Sequence, residues 1–402
     1  MQTYRCLKNT QNKSKKRNKR QGRIQVIDNI LDYYKWKVDP RWDNKVLDYD
    51  KIKHNWSEWF LESVKELKPE LPSLEQIHLY FKPTEFIKLR KHLESLTNSK
   101  EFSGRLDEFF NDYVKDLVDD PQFLVQSTCG IRFVVPNQDS LGRLLAFHTG
   151  YWTGYNNHMG TVWIPLTRTW GTNTMQVVGW EDSIKIMQEI HNNQLPLDEI
   201  QRISTEKCFP VEIDVGQAWL FNQGHVHGNV NNETDITRVS FDARFALPGY
   251  NLGPRRAGSF YRLQGHHTEI DKSQLSSGSW IVFVDQNSNY IGETPHYMIR
   301  EFLLGKANSL NLNVVEWSNE YWGCKWMPKL QDFVSRNNIG GLLLPSIHAF
   351  SGEKHKILKM FIQAIDNGQQ LLFVDESILA TTHKDIDLIE QIYNINCIKE
   401  VE

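Results

Sequence analysis

Residues 216–245 read GQAWLFNQGHVHGNVNNETDITRVSFDARF, and this stretch decides the fold class. Its runs Ala218–Phe221 and Thr237–Phe245 are rich in aromatic and β-branched residues, as is typical of strands. A polar segment that contains His227-Gly228-Asn229 lies between the two runs and indicates a turn. The stretch therefore predicts two strands of a β-rich core.

The same pattern of short strand-like runs separated by turn residues continues on the N-terminal side of this stretch. Short runs split by Gly, Asn and Pro predict further strands at Ile131–Val135, Thr161–Leu166, Met175–Val178 and Val211–Ile213. One helix, about Asp182 to Asn192, is predicted to interrupt them. Many short strands at this density favour a sandwich or a jelly-roll barrel, that is, a double-stranded β-helix.

The regions on either side of this core have other patterns. Leu61, Val64 and Leu67 recur at helical spacing in the N-terminal part, whereas strands and helices alternate beyond residue 279, which predicts a small parallel α/β sheet. The predicted order is a basic disordered tail (1–23), N-terminal helices (24–120), a jelly-roll core (121–262), a Gly/Ser-rich linker (263–278) and an α/β domain (279–402).

Composition limits the partners and the cellular compartment. The net charge of −3 over 402 residues gives no indication of a nucleic-acid partner. No apolar run approaches the ~20 residues that a membrane span needs. The five cysteines are scattered without CxxC spacing, which suits reduced thiols. These features predict a cytoplasmic protein that binds neither nucleic acid nor membrane.

Candidate site residues lie in two blocks of the predicted core, one around His148 and one around His227. Fe(II) suits imidazole and carboxylate ligands on one face, with open positions left for a co-substrate and O₂. A jelly roll brings a His on an early strand close to a His on a late strand. Arg238 presents a rigid fork that pairs bidentately with a carboxylate, and Ser240 lies on the same face of its strand.

These motifs, in their order and spacing, resemble the phytanoyl-CoA dioxygenase-like superfamily over about residues 125–250. The likeness is greatest to the Fe(II)/2-oxoglutarate oxygenases of streptomycin-type and sporadic carbohydrate clusters. The resemblance implies that His148 and His227 bind Fe(II), that Arg238 with Ser240 binds 2-oxoglutarate, and that Trp163 lies beside this co-substrate. It implies O₂ as the oxidant and no catalytic residue beyond the metal site.

Gly150 departs from the family pattern, which is His-x-Asp where this sequence reads His148-Thr149-Gly150. One metal position therefore lacks its carboxylate and the negative charge. Chloride could take the position, as in related halogenases with Gly or Ala there, or water or another residue could take it in a hydroxylase. Loss of iron would instead leave a binding module. His225, two residues before His227, is a possible alternative ligand.

The C-terminal region, 279–402, resembles a small family that also occurs in sporadic carbohydrate clusters. Its matching features include Tyr297–Arg300, Glu316–Tyr321 and Gly341–Ser346. Together the two resemblances imply a dioxygenase that hydroxylates a sugar or a nucleotide-activated sugar in bacterial carbohydrate biosynthesis. The alternatives are a 2-oxoglutarate-dependent halogenase and a non-catalytic carbohydrate-binding module.

Overall fold

The structure is a computed structural model that describes residues 42–118, 123–137, 146–155, 158–247, 252, 257–258, 260–265, 270–288 and 296–396. The predicted basic tail, residues 1–23, lies outside the described residues. Within these ranges, no helix is long and apolar enough to cross a membrane.

Helices and short strands alternate unevenly up to residue 263. The helices are α1 (Trp56–Lys65), α2 (Ile77–Tyr80), α3 (Phe86–Thr97), α4 (Lys100–Tyr113), α5 (Lys115–Val118), α6 (Trp180–Asn193) and α7 (Leu197–Lys207). The strands are β1 (Lys45–Asp48), β2 (Leu124–Gln126), β3 (Gly130–Val134), β4 (Met159–Pro165), β5 (Gln176–Val178), β6 (Cys208–Pro210), β7 (Gln217–Asn222), β8 (His227–Gly228), β9 (Arg238–Ala246) and β10 (Tyr261–Leu263).

These strands form two antiparallel sheets. The larger sheet has the order β1-β7-β4-β9-β2-β10, with β3 also paired to β9, and the smaller has the order β6-β5-β8. An apolar cluster joins Trp163 of β4 and Trp219 of β7 to Val177 of β5, so the two sheets pack face to face. The structure thus has the N-terminal helices and the antiparallel sheets that the sequence predicts.

Period-two alternation divides the central strands of the larger sheet into an apolar face and a polar face. The apolar face packs against the N-terminal helices, and Phe241 of β9 contacts Trp56 and Phe60 of α1 with ring centroids 5.3 and 5.7 Å apart. The opposite face of β9 carries Arg238, Ser240, Asp242 and Arg244 toward the smaller sheet. The helices therefore cover one side of the sheet, and polar groups collect on the other.

The C-terminal part contains a second sheet with its own helices. Its elements are β11 (Ser279–Val284), α8 (His296–Ser309), β12 (Asn313–Asn319), α9 (Pro328–Val334), β13 (Gly341–Leu344), α10 (Lys354–Asp366), β14 (Gln370–Phe373), β15 (Ile378–Ala380) and α11 (His383–Asn396). The order is β12-β11-β13-β14-β15. The first four strands are parallel, but β15 is antiparallel to β14, so the prediction of an all-parallel sheet was wrong at this edge.

Several element boundaries also differ from the prediction. The strand predicted at Val211–Ile213 lies just before it, at β6; Val211 still donates a backbone hydrogen bond to the Met175 carbonyl at 2.9 Å, beside the last β5–β6 pair. A second helix, α7, follows the predicted one. The strand β1 lies in a region predicted to be helical, because it pairs with β7, about 170 residues away in sequence, and propensity alone cannot detect such pairing.

Candidate functional site

A cavity of about 340 Å³ lies between the two sheets. Strands β4, β7 and β9 and the segment before β8 direct side chains into it. Its polar lining includes His148, His227, Asn229, Arg238, Asp242 and Arg244. The structure therefore brings the two predicted metal-binding histidines and the predicted carboxylate-binding arginine to one cavity.

The two histidines are held together by a short bridge between the segment at residue 148 and β8. The backbone N–H of each donates to the carbonyl oxygen of the other at 2.9 Å, and the ring centroids are 4.5 Å apart. Nδ1 of His148 lies 3.0 Å from the Ala146 carbonyl, and Nδ1 of His227 lies 2.8 Å from the His225 carbonyl. A carbonyl only accepts, so each Nδ1 carries a proton and each Nε2 keeps its lone pair.

The charge state of the pair also suits metal binding. Burial lowers the pKa of His148, and burial together with the neighbouring His148 ring holds the pKa of His227 well below its usual range. Both rings are therefore neutral near neutral pH. A neutral imidazole oriented by a backbone carbonyl is the usual state of a histidine metal ligand.

Arg238 and Ser240 present buried polar atoms without protein partners. Arg238 is 2% exposed; its Nη1 donates to Asn229 at 2.6 Å, but its Nε has no hydrogen-bond partner. Ser240 is fully buried and its hydroxyl likewise lacks a partner. Burial lowers the pKa of Arg238 to about 9, which still leaves it charged at neutral pH. An unpaired buried charge is costly, and an anion bound at this position would offset that cost.

Trp163 forms the wall beside this anion position. Its ring centroid lies 5.7 Å from the guanidinium carbon of Arg238, and only 2% of the residue is exposed. The indole thus restricts the guanidinium to one side of the cavity and shields it from water.

Asp242 and Arg244 form a buried ion pair at the other end of the same face of β9. Arg244 Nη1 lies 2.5 Å from Asp242 Oδ2, and Arg132 Nε lies 3.6 Å from Oδ1. Burial alone would raise the pKa of Asp242, but the two guanidinium groups more than offset this and lower it. Asp242 therefore carries a negative charge close to the histidines. Asp242 was not predicted as a site residue, although its alternation with Arg238 and Ser240 along one strand was a usable signal.

A second cavity of about 490 Å³ adjoins the first. The two share Arg132, His148, Thr153, Asp242 and Arg244 as lining residues. The larger cavity adds polar groups that include Glu94, Asn98, Gln126 and Thr128.

The space beside Gly150 is filled by Gln223. A Cβ atom added at residue 150 would overlap Oε1 of Gln223 and lie 2.9 Å from its Cβ and Cδ. The Gly150 N–H donates to the Gln223 carbonyl at 2.7 Å, and the Gln223 side-chain amide donates to the Thr161 hydroxyl. Sequence spacing could not reveal this contact, because it depends on how two separate turns pack.

His225 does not join His148 and His227 in the cavity. Its Nε2 lies 3.3 Å from Asp43 Oδ2 and its ring lies against Trp180, with centroids 5.1 Å apart. The chain turns between Asn222 and His225, and β8 begins only at His227, so the two histidines do not share a strand face. This geometry gives His225 a role in packing the loop.

The donor set fits a metal that accepts two imidazoles and oxygen donors from a bound anion. Within the described residues, no group of three His, Cys, Asp or Glu side chains is arranged to hold a metal ion. Two neutral imidazoles with a buried, unpaired cation nearby nevertheless suit Fe(II) chelated by a dicarboxylate. The site thus fits Fe(II) and 2-oxoglutarate, without a carboxylate at position 150.

Comparisons with known proteins place the chain in no family. No protein-family model and no curated protein matches the sequence. Among solved structures, a nickel complex of the non-heme monooxygenase ThoJ is 16% identical, with a TM-score of 0.30, covering 52% of this chain and 76% of that one. AviO1 from Streptomyces viridochromogenes Tue57 is 14% identical, with a TM-score of 0.31, covering 54% of this chain and 95% of that one.

A third solved structure is EvdO2 from Micromonospora carbonacea var. aurantiaca, in complex with 2-oxoglutarate. It is 12% identical, with a TM-score of 0.28, and the match covers 48% of this chain and 81% of that one. At these scores the likeness assigns neither family nor function, so the cavity residues alone carry the function proposed below.

Proposed function

We propose that this protein is an Fe(II)/2-oxoglutarate-dependent oxygenase. The observation that carries the proposal is the buried Arg238, whose Nε has no partner, in the same cavity as two neutral histidines. The unpartnered hydroxyl of Ser240 lies two residues further along β9. A guanidinium with a free Nε and an adjacent hydroxyl binds a carboxylate well. The histidine Nε2 atoms supply two metal ligands within the same cavity.

Each residue of the site has a defined task in this proposal. His148 and His227 hold the metal, Arg238 and Ser240 bind the distal carboxylate of 2-oxoglutarate, and Trp163 packs beside it and excludes water. Fe(II) and 2-oxoglutarate would supply the oxidising chemistry, in which O₂ is consumed, 2-oxoglutarate is decarboxylated to succinate and CO₂, and a substrate C–H bond is oxidised. The chain's own residues orient the reactants and keep them from bulk water.

The substrate class that we propose is a sugar or nucleotide-activated sugar, hydroxylated in bacterial carbohydrate biosynthesis. The larger cavity supports this, because its polar groups can accept and donate hydrogen bonds to several hydroxyls. Arg132 has a half-exposed side chain at this cavity and can pair with an anionic group such as a phosphate. Halogenation receives no such support, because Gln223 fills the space beside Gly150.

Anaerobic titration with Fe(II) and 2-oxoglutarate, followed by exposure to O₂, tests the proposal. We expect metal binding that requires both histidines, and succinate release that an Arg238→Gln variant loses. If the wild-type protein binds no Fe(II) and releases no succinate with any sugar or nucleotide sugar, the site is a binding module and the proposal is wrong.

A further inference from the structure

The strongest unexplained feature of the site is the side chain beside Gly150. Gln223 is 1% exposed, and its amide oxygen would overlap a Cβ atom added at residue 150. Its Nε2 donates to the Thr161 hydroxyl, so the oxygen is the end of the amide that faces Gly150. Thr161 itself lines the cavity that holds both histidines.

We propose that Gln223 takes the place of the missing carboxylate, providing its amide oxygen as the third protein ligand of the metal and excluding halide from that position. This inference rests on the proposed function, since it presupposes a metal bound by His148 and His227. An amide oxygen is a hard donor like a carboxylate oxygen but carries no charge. The protein would thus use a neutral ligand set of two imidazoles and one amide.

Asp242 is the other oxygen donor near the histidines, and its contacts argue against it as the third ligand. Arg244 holds one carboxylate oxygen at 2.5 Å and Arg132 lies 3.6 Å from the other. Within the described residues, Asp242 and the two histidines do not form a group that can hold a metal. Its carboxylate would have to leave a buried ion pair to reach the metal, which is unfavourable.

The test compares two isosteric changes in Co(II) titrations followed by visible absorption. Gln223→Glu replaces the amide with a carboxylate of the same shape, and we expect it to bind Co(II) on the order of tenfold more tightly than the wild type. Gln223→Leu keeps the volume but removes the oxygen, and we expect a loss on the order of tenfold. A side chain with a packing role alone would give no gain with Glu.

Gln217→Glu is the control for the added charge. Gln217 lines neither cavity and hydrogen-bonds Asp48 at the start of β7, so the substitution adds the same charge without placing it beside Gly150. We expect the Co(II) affinity and spectrum of this variant to stay near those of the wild type. An equal gain in both Glu variants would overturn the inference, because the effect would then be a general electrostatic one.

Chloride provides a second readout that is independent of stability. We expect chloride to leave the Co(II) spectrum of the wild type unchanged, and to alter that of Gln223→Ala, in which space beside Gly150 is opened. A chloride-dependent spectrum in the wild type would overturn the inference in favour of a halide ligand.

The same titrations separate failure of this inference from failure of the proposed function. If the wild type binds no metal, both fail. If His148→Ala abolishes Co(II) binding while both Gln223 variants match the wild type, the proposed function stands and the inference is wrong. Loss of binding in Asp242→Asn, with no effect of the Gln223 changes, would assign the third position to Asp242.

Discussion

Arg238 holds a buried positive charge that no carboxylate of the described residues neutralises within salt-bridge distance. Replacing an unpaired buried charge with an apolar residue of similar length is often neutral or stabilising. We therefore expect Arg238→Met to match or exceed the wild type in unfolding free energy without ligand. The variant should also lose the stabilisation by 2-oxoglutarate, which for the wild type is about 2.7 kcal/mol at a hundredfold excess over Kd.

Thermal unfolding with and without 2-oxoglutarate and a redox-inert divalent metal measures both effects. Arg244→Met is the matched control, because it breaks a buried ion pair and leaves Asp242 behind, at a cost of about 3–5 kcal/mol. If Arg238→Met loses as much unfolding free energy as Arg244→Met, Arg238 is not an unpaired charge, and its proposed pairing with a bound anion is contradicted.

Residue spacing in the sequence was enough to predict that Arg238 and Ser240 share one face of a strand, because side chains two residues apart point the same way. The pairing of His148 with His227 was implied by the family resemblance. Residue spacing could not predict where the side chains of Gln223 and His225 lie. Both lie in the turn between β7 and β8, where side-chain direction depends on tertiary contacts such as those with Gly150 and Asp43. The metal and co-substrate roles of the four residues stay predictions until they are measured.

Strand β8 has only two residues, yet it positions one of the two histidines. Gly228 makes this possible, because a Cβ there would lie 2.9 Å from Cα and 3.0 Å from the backbone N of Phe147. Backbone atoms cannot move aside as a flexible side chain can. The close approach of the two segments, and hence the His148–His227 bridge, depends on the absence of a side chain at this position.

We expect Gly228→Ala to separate the two segments and weaken metal binding on the order of tenfold or more, with a stability cost of about 1–3 kcal/mol from overpacking. Gly104→Ala, in helix α4 with open space around it, is the control and should be neutral or stabilise by up to about 1 kcal/mol. Co(II) titration and chemical denaturation test both. If Gly228→Ala binds Co(II) as tightly as the wild type, the His148–His227 bridge does not determine the geometry of the metal site.

At the level of elements, strands with strong alternation were predicted to within about two residues, as β4 and β9 illustrate. Elements that depend on distant partners were missed. β1 is a strand because its backbone pairs with β7. β15 is antiparallel to β14 because a tight turn leads directly from one strand to the other. Neither fact is encoded in local propensity.

The two halves of the molecule share one apolar cluster, in which Tyr155 and Met159 of the first half join Phe350 and Ile392 of the second. Glu376 is buried in this region, where its side chain lies against Gly258, and it hydrogen-bonds Ser346. Burial raises the pKa of Glu376 to about 8, more than the Ser346 hydrogen bond lowers it. Glu376 is therefore protonated in the folded protein at neutral pH.

This shift predicts a pH-dependent stability. Between the ordinary value of 4.5 and about 8 the folded state binds a proton that the unfolded state has lost, so the wild type becomes less stable as pH rises through that window. Glu376→Gln keeps the shape and the hydrogen-bonding capacity without the titration. We expect its advantage over the wild type in chemical denaturation to be small near pH 5 and largest near pH 8. A constant difference across this range would contradict the assignment.

The two cavities share part of their walls, and this bears on the order in which two molecules can bind. Five residues, Arg132, His148, Thr153, Asp242 and Arg244, belong to both cavities. A molecule in the larger cavity would contact these side chains. If the smaller cavity binds the dicarboxylate, as we propose, we expect it to bind before the larger molecule and the succinate formed from it to leave after the larger product.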